Sequence, residues 1–171
     1  MKGIMQLDRR AFLAFGGAAM VVGVAVTFPG SRGADATPRA PGRFPYRLTD
    51  AQWRARLSDL QYRVLRLGET ERAGTSPLNN EHRRGTFLCA GCALPLYASA
   101  TKFESHTGWP SFWRPLPHAV VERPDNSLGM RRTEILCARC GGHLGHVFDD
   151  GPRPTGLRYC MNGAALTFRA A

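Results

Sequence analysis

The chain has 171 residues, a length that suits one domain with a single hydrophobic core, and a formal net charge of +10 at pH 7. The basic residues are scattered, with no run longer than two, and the sequence has neither internal repeats nor a glycine-rich phosphate-binding loop. We therefore expect no nucleic-acid partner, because nucleic-acid binding needs a clustered basic surface.

The first 36 residues have the composition of an export signal. Arg9 and Arg10 precede an apolar, uncharged run at residues 11–28, and residues 34–36 (Ala-Asp-Ala) supply the small side chains that a signal peptidase reads. The arginine pair predicts a Tat-type signal peptide at 1–36 and a protein of the bacterial periplasm. The alternative is a retained membrane anchor facing the periplasm, because roughly 18 apolar residues approach the length of a membrane span.

The rest of the chain is predicted to be a leader followed by one domain. Residues 37–45 are rich in proline and form an extended leader, and residues 46–171 form the functional domain. Thr49 and Gln52 have the spacing of a capping box, which predicts a helix from Thr49 to about Leu67. Its apolar stripe is formed by Trp53, Leu57, Leu60 and Val64.

From residue 84 onward the pattern changes to short strand-like runs separated by glycine and proline. The predicted strands are residues 85–88, 119–121, 130–136, 145–148, 157–159 and 165–168. This spacing predicts a mainly β domain, α+β by content, with an antiparallel barrel-like or sandwich-like core and peripheral α-helices.

Four of the five cysteines form two C-x-x-C pairs, Cys89 with Cys92 and Cys137 with Cys140. Two such pairs can present four thiolates to one Zn²⁺ at the corners of a tetrahedron. Residues 93–136 separate the pairs more widely than in a self-contained zinc ribbon, so the metal would join distant parts of one domain. We therefore predict one structural zinc ion with a closed ligand shell. The alternative is a pair of disulfides, which an oxidising compartment permits.

Cys160 remains as the unpaired cysteine. It ends a strand-like run, and Arg158, two positions earlier, would lie on the same face of a strand. A guanidinium in this place favours the thiolate, which is the nucleophilic form. The alternative is a buried, unreactive cysteine.

Two further segments carry candidate site residues. His143 and His146 fit a proton-transfer pair, a solvated loop or a second metal site, although no third ligand of matching spacing favours the metal. Trp109, Phe112 and Trp113 are close enough in sequence to wall an apolar substrate pocket, although such a cluster is also typical of core packing.

Taken together, these segments closely resemble the methionine-R-sulfoxide reductase B family over residues 46–169. The resemblance rests on the order and co-occurrence of the Trp53 helix, the paired C-x-x-C motifs, KFES from Lys102, GWPSF from Gly108, HLGHVFDDGP from His143 and RYCMNGAAL from Arg158. It implies the family's mostly antiparallel β fold with peripheral helices, and zinc bound by the four paired cysteines.

The resemblance also implies roles for single residues. Cys160 matches the family's catalytic cysteine, and Trp109 matches the aromatic residue that packs against the S-methyl group of the substrate. Five residues match positions that line the family's active site: His143, His146, Asp150, Arg158 and Asn162.

These roles imply reduction of methionine-R-sulfoxide in proteins or peptides, a repair of oxidative damage, and leave open whether the free amino acid is also a substrate. A thiolate must attack the sulfoxide sulfur while an acid protonates the leaving oxygen. Cys160 would supply the thiolate and His143 or His146 the acid, and a sulfenic acid would remain on Cys160.

One position departs from many family members. Thr107 stands where they have a second, resolving cysteine just before the GWPSF run, and an alcohol cannot form a disulfide with a sulfenic acid. We therefore expect regeneration by an external reductant, thioredoxin-like or another thiol, or else attack by a cysteine elsewhere at the expense of the zinc site. The enzyme is expected to be a monomer. Two other functions stay open: a zinc-stapled basic binding module and a C-x-x-C disulfide oxidoreductase.

Overall fold

The computed structural model describes residues 44–171, so that the predicted signal peptide at 1–36 and nearly all of the predicted leader lie outside the described residues. The helices of this part are α1 (Asp50–Arg56) and α2 (Asp59–Tyr62), and α2 continues as a π-helical turn at Arg63–Leu67. Within residues 44–171 no helix is both long enough and apolar enough to cross a bilayer.

Nine strands follow in the described part of the chain. They are β1 (Gly85–Cys89), β2 (Pro95–Ala98), β3 (Lys102–Phe103), β4 (Ser111–Phe112), β5 (Val120–Asp125), β6 (Arg132–Cys137), β7 (His143–Phe148), β8 (Arg158–Met161) and β9 (Leu166–Ala170). One sheet has the order β2-β1-β9 and the other β3-β4-β8-β7-β6-β5. Every pairing is antiparallel, which confirms the predicted fold class of a mainly β domain.

The predicted strands are all present, with shifted bounds, but the sequence does not predict β2, β3 or β4. β3 and β4 have two residues each, too few for an alternating pattern of apolar and polar side chains. β2 begins at Pro95, a residue that usually argues against a strand.

The helical segment begins as predicted and then differs. The Thr49 side chain accepts a hydrogen bond from the backbone N–H of Gln52, and the Gln52 side chain accepts one from the backbone N–H of Thr49. The prediction of one continuous helix is wrong, because the backbone turns extended at Leu57 and Ser58 caps a second helix through a capping box with Gln61. A second Ser-x-x-Gln spacing inside the apolar pattern was the signal for this break.

The break changes which side chains reach the core. Leu60, predicted in the buried stripe, is 40% exposed, whereas the other three members of that stripe are buried. Tyr62 and Leu65, which the stripe did not include, are 2% exposed. The restart at Ser58 therefore turns a different face of the segment toward the sheets.

An aromatic cluster connects the two sheets. Phe87 of β1 and Tyr97 of β2 belong to the three-stranded sheet, and Phe112 of β4 belongs to the six-stranded sheet. The ring centroids of Tyr97 and Phe112 lie 4.3 Å apart in a stacked arrangement, and those of Phe87 and Phe112 lie 4.9 Å apart. Phe112 is 0% exposed, so its predicted contact with substrate is wrong and it is a core residue.

Candidate active site and metal centre

The four paired cysteines converge on one point. Their Sγ atoms lie within 4.8 Å of one another, with 3.7 Å between Cys89 and Cys140 and 3.5 Å between Cys92 and Cys137. A disulfide has an S–S distance of about 2.05 Å, so these are free thiols and the structure contains no disulfide among them. Tetrahedral Zn²⁺ with Zn–S distances of about 2.3 Å places its sulfurs about 3.8 Å apart. The four buried thiols therefore fit a zinc ion.

Each pair of cysteines lies where a strand ends. Cys89 ends β1 of the three-stranded sheet, and Cys137 ends β6 of the six-stranded sheet. A tight turn follows each of them: Ala93 N–H donates to the Cys89 carbonyl at 2.7 Å, and Gly141 N–H donates to the Cys137 carbonyl at 2.8 Å. Gly141 has a φ of +67°, which glycine adopts without steric cost. A metal held here therefore joins the two sheets.

The helical segment holds both cysteine turns. Arg56 Nε donates to the carbonyl oxygen of Gly91 at 2.9 Å, and Arg66 Nη1 donates to that of Cys140 at 3.1 Å. α1 and the π-helical turn thus fix the two turns relative to each other.

Cys160 lies in β8, inside the six-stranded sheet, between Ser111 of β4 and His146 of β7. Its side chain is half-buried at a cavity of about 210 Å³. The cavity is lined by Thr70, Trp109, Arg132, Gly145, His146, Phe148, Cys160 and Asn162. The structure thus brings four of the predicted site residues together: Cys160, Trp109, His146 and Asn162.

Arg158 supplies positive charge beside Cys160. Its guanidinium donates two hydrogen bonds to the Asp150 carboxylate, both at 2.8 Å, and lies 4.4 Å from the centre of the Phe148 ring. The hydrogen bond to Asp150 raises the pKa of Arg158, burial opposes this, and the charge interaction with Cys160 adds to it. Neither Arg158 nor Asp150 lines the cavity itself; Asp150 is exposed and acts by holding Arg158.

We expect Arg158→Gln to slow the alkylation of Cys160 at pH 7, because the positive charge beside the attacking sulfur is lost. The mass of the intact protein during reaction with iodoacetamide measures the rate. Asp150→Asn is the matched control, since it removes the partner carboxylate but keeps the charge of Arg158, and it should slow labelling less. Equal labelling of Arg158→Gln and the wild type would contradict this role for Arg158.

His146 is the histidine at the cavity. Its Nε2 lies 2.8 Å from Asp125 Oδ2, which also accepts a hydrogen bond from Arg132 at 2.8 Å. Burial raises the pKa of Asp125, but the hydrogen bonds from Ser127 and His146 and the charge of Arg132 outweigh it and hold that pKa below its ordinary value. Burial lowers the pKa of His146, and the hydrogen bond to Asp125 only partly offsets this. At neutral pH His146 is therefore an uncharged base beside a carboxylate.

His143 does not reach the cavity. It is 2% exposed, and its Nδ1 lies 2.6 Å from Oε1 of the buried Glu134. Glu134 in turn accepts two hydrogen bonds from Arg123, at 2.9 and 2.7 Å. Of the two histidines predicted as the acid, His146 lines the cavity beside Cys160 and His143 does not, although a bulge in β7 brings the two rings to a centroid distance of 5.4 Å.

Thr107, the residue that the resemblance aligns with a resolving cysteine in many family members, is close to Cys160. The Thr107 Oγ1 atom lies 3.8 Å from Cys160 Sγ and 2.8 Å from Ser105 Oγ. Ser105 Oγ lies 2.7 Å from Oγ of Ser111, the cross-strand neighbour of Cys160. A short chain of hydroxyl groups therefore lies beside the Cys160 sulfur.

Sequence reasoning missed several cavity residues and their partners. Asp125 ends β5 and Arg132 begins β6, and the two side chains pair across the hairpin turn. The sequence feature that could have predicted this pair is the presence of opposite charges on either side of a turn. Phe148 lies within the HLGHVFDDGP segment and lines the cavity, but the sequence alone indicated no role for it. Thr70 and the adjacent Glu71 lie in an irregular loop, where no sequence pattern indicates their neighbours.

Comparison with known proteins identifies the family of this chain. The family described as the SelR domain matches residues 57–170. The "Peptide methionine sulfoxide reductase MsrB" of Thiobacillus denitrificans is 59% identical over 121 residues, covering 70% of this chain and 92% of that protein. The proteins of the same description from Leptospira interrogans (71% and 93% covered) and Agrobacterium fabrum (70% and 90% covered) are each 54% identical. The chain therefore belongs to the SelR-domain family, the family of the MsrB peptide methionine sulfoxide reductases.

Proposed function

We propose that this enzyme reduces methionine-R-sulfoxide in peptides and proteins to methionine, with Cys160 as the nucleophile. The observation that carries the proposal is the position of Cys160, whose side chain lines a cavity together with the Trp109 indole and interacts with the charge of Arg158. An indole face, apolar and electron-rich, favours an S-methyl group over an anionic substituent. A cavity of about 210 Å³ suits one side chain rather than a large cofactor.

The proposed reaction is an oxygen transfer between two sulfur atoms. The Cys160 thiolate attacks the sulfoxide sulfur and forms an S–S bond, while the S–O bond breaks and the protonated oxygen departs as hydroxide. The hydroxide then adds to the Cys160 sulfur, the S–S bond breaks with its electron pair going to the thioether, and a sulfenic acid remains on Cys160. The sulfoxide sulfur is reduced by two electrons, and the Cys160 sulfur is oxidised by two. His146, uncharged at the start, takes the thiol proton and returns it to the departing oxygen, and Asp125 stabilises the imidazolium in between.

We propose Zn²⁺ on the four clustered cysteines, in a structural role. Four protein sulfurs close a tetrahedral shell, so the ion has no open position for substrate. When bound, it supplies a cross-link between the two sheets, and Cys160 remains outside its ligand set.

Separate assays with the R and S sulfoxides of a methionine peptide test the proposal. We expect turnover of the R form with dithiothreitol as reductant and no turnover of the S form. Reduction of neither form would overturn the proposed activity.

The disulfide oxidoreductase alternative needs a reactive C-x-x-C cysteine, whereas all four paired cysteines are buried.

An external thiol is proposed to reduce the Cys160 sulfenic acid, with a thioredoxin-like protein as one candidate. Thr107 Oγ1 lies 3.8 Å from the Cys160 sulfur and carries no thiol, and the other four cysteines are buried in their own cluster. The enzyme should therefore release methionine without forming an internal disulfide.

Thr107→Cys should restore internal resolution, because the native Thr107 Oγ1 already lies 3.8 Å from Cys160 Sγ, within reach of a small side-chain adjustment. After one turnover without reductant, we expect peptide mass spectrometry to find a disulfide between the introduced thiol and Cys160 in this variant, and none in the wild type. Thr107→Ser, which keeps the hydroxyl, is the matched control. An internal disulfide in the wild type with zinc retained would contradict the external route.

We also propose that residues 1–36 direct Tat-type export to the periplasm and that the mature enzyme is a monomer. The arginine pair at Arg9 and Arg10 supports the export route. Cell fractionation of the full chain beside an Arg9→Lys, Arg10→Lys variant decides the first point, and retention of both proteins in the cytoplasm would overturn it. Sedimentation of the mature chain decides the second.

A further inference from the structure

Glu71 is a buried acidic residue that the proposed reaction does not use. It is 4% exposed and lies in the loop between the π-helical turn and β1. Its two carboxylate oxygens accept hydrogen bonds from consecutive backbone N–H groups, those of Gly163 and Ala164, the second at 2.9 Å. These two residues begin the 3₁₀ turn Gly163–Ala165, which follows the strand of Cys160. The Glu71 side chain thus fixes the chain just beyond the nucleophile.

The backbone of Glu71 contacts two residues of the cavity wall. Its N–H donates to Asn162 Oδ1 at 3.0 Å, and its carbonyl oxygen accepts from Trp109 Nε1 at 3.1 Å. Asn162, Trp109 and the preceding residue Thr70 all line the cavity. Glu71 therefore connects three segments that are remote in sequence and meet at the substrate side of Cys160.

We infer that Glu71 is a positioning residue, which holds the Trp109 indole and the Asn162 amide in the arrangement that receives the S-methyl group, without touching the substrate. The inference rests on the proposed function for the identity of the substrate. Hydrogen bonds to a carboxylate are stronger than those between neutral groups. Replacing this carboxylate leaves buried peptide N–H groups without an acceptor, which loosens the turn and with it the loop of Glu71.

The nucleophile itself is held independently of Glu71. Cys160 is paired in register with Ser111 of β4 on one side and with His146 of β7 on the other. A change at Glu71 should therefore disturb the walls that bind the substrate more than the attacking sulfur. This difference predicts an effect on KM rather than on kcat.

Glu71→Gln in the otherwise unaltered protein is the test, because a glutamine keeps the shape but offers one acceptor oxygen to two N–H groups. We expect KM for the R sulfoxide to rise about tenfold while kcat changes less than about threefold, in keeping with the loss of one buried, charge-assisted hydrogen bond. We also expect faster hydrogen exchange at the amides of Gly163 and Ala164. The part of the tryptophan emission that Trp109→Phe removes should shift to longer wavelength.

Glu69→Gln is the matched control, since Glu69 is exposed on the same loop and pairs with Arg63 at 3.6 Å. It should behave as the wild type in every measurement. Unchanged KM and unchanged amide exchange in Glu71→Gln would overturn the inference, and so would a fall in kcat with KM unaltered. A wild type without activity would instead overturn the proposed function, and amide exchange and emission would still decide whether Glu71 holds the two segments.

Discussion

Cys160→Ser is expected to abolish the reduction of methionine-R-sulfoxide, with a loss in kcat/KM on the order of a thousandfold or more. A serine hydroxyl is a far weaker nucleophile than a thiolate at neutral pH, and it cannot carry the transferred oxygen as a sulfenic acid. The fold should survive, because Cys160 is half-buried at a cavity rather than packed in the core. The measurement is methionine release from the R sulfoxide by the purified variant and by the wild type.

The same prediction can be tested on the unaltered protein by labelling. The other four cysteines are buried, so a brief treatment with iodoacetamide should modify Cys160 first and stop turnover in proportion. Pre-incubation with methionine-R-sulfoxide should convert Cys160 to a form that reacts with a sulfenic-acid reagent such as dimedone. Full activity after stoichiometric labelling of Cys160 would refute the assignment of the nucleophile.

The sequence predicted the parts of this fold whose causes are local. Alternating side chains and turn residues located the longer strands, and the capping box at Thr49 marked the first helix. The two C-x-x-C spacings indicated four thiols at one point, which is what the structure contains. The break at Ser58 was harder to foresee, because helix capping there competes with an apolar pattern that runs through it.

The errors at the candidate site come from side-chain direction and from long-range contacts. Phe112 and Trp109 stand three residues apart in one aromatic run, yet the first is in the core and the second at the cavity, since β4 turns Phe112 toward the other sheet. His146 lines the cavity whereas His143 is buried against Glu134, although their ring centroids lie only 5.4 Å apart. The contacts of Glu71 with Trp109 and Asn162 depend on how the chain closes in space, and no local sequence pattern reports that.

The proposed zinc site carries the second large expected effect, which falls on stability rather than on chemistry. The four sulfurs stand at the ends of β1 and β6, in different sheets, and the helical segment rests on both turns through Arg56 and Arg66. Without a metal, the four buried thiols are in mutual contact, and the hydrogen bonds from Arg56 and Arg66 are what still joins their two turns. The aromatic cluster between the sheets remains, so we expect a loosened and less stable domain rather than an unfolded chain.

Cys140→Ser is therefore expected to lower the zinc content from one ion per chain to near zero and to lower Tm by more than about 10 °C, since structural zinc sites contribute several kcal/mol of folding free energy. Zinc analysis and thermal unfolding with and without a chelator measure both quantities. Cys160→Ser applies the same chemical change outside the cluster and should keep the zinc and the Tm of the wild type. In our proposal the cluster supplies a cross-link and Cys160 performs the chemistry, so the two variants should fail in opposite ways. Cys160→Ser should be inactive but stable. Cys140→Ser should be unstable, yet its Cys160 should still react with an alkylating reagent. A Cys140→Ser protein that keeps its zinc and its Tm would show that these four sulfurs do not hold the sheets together.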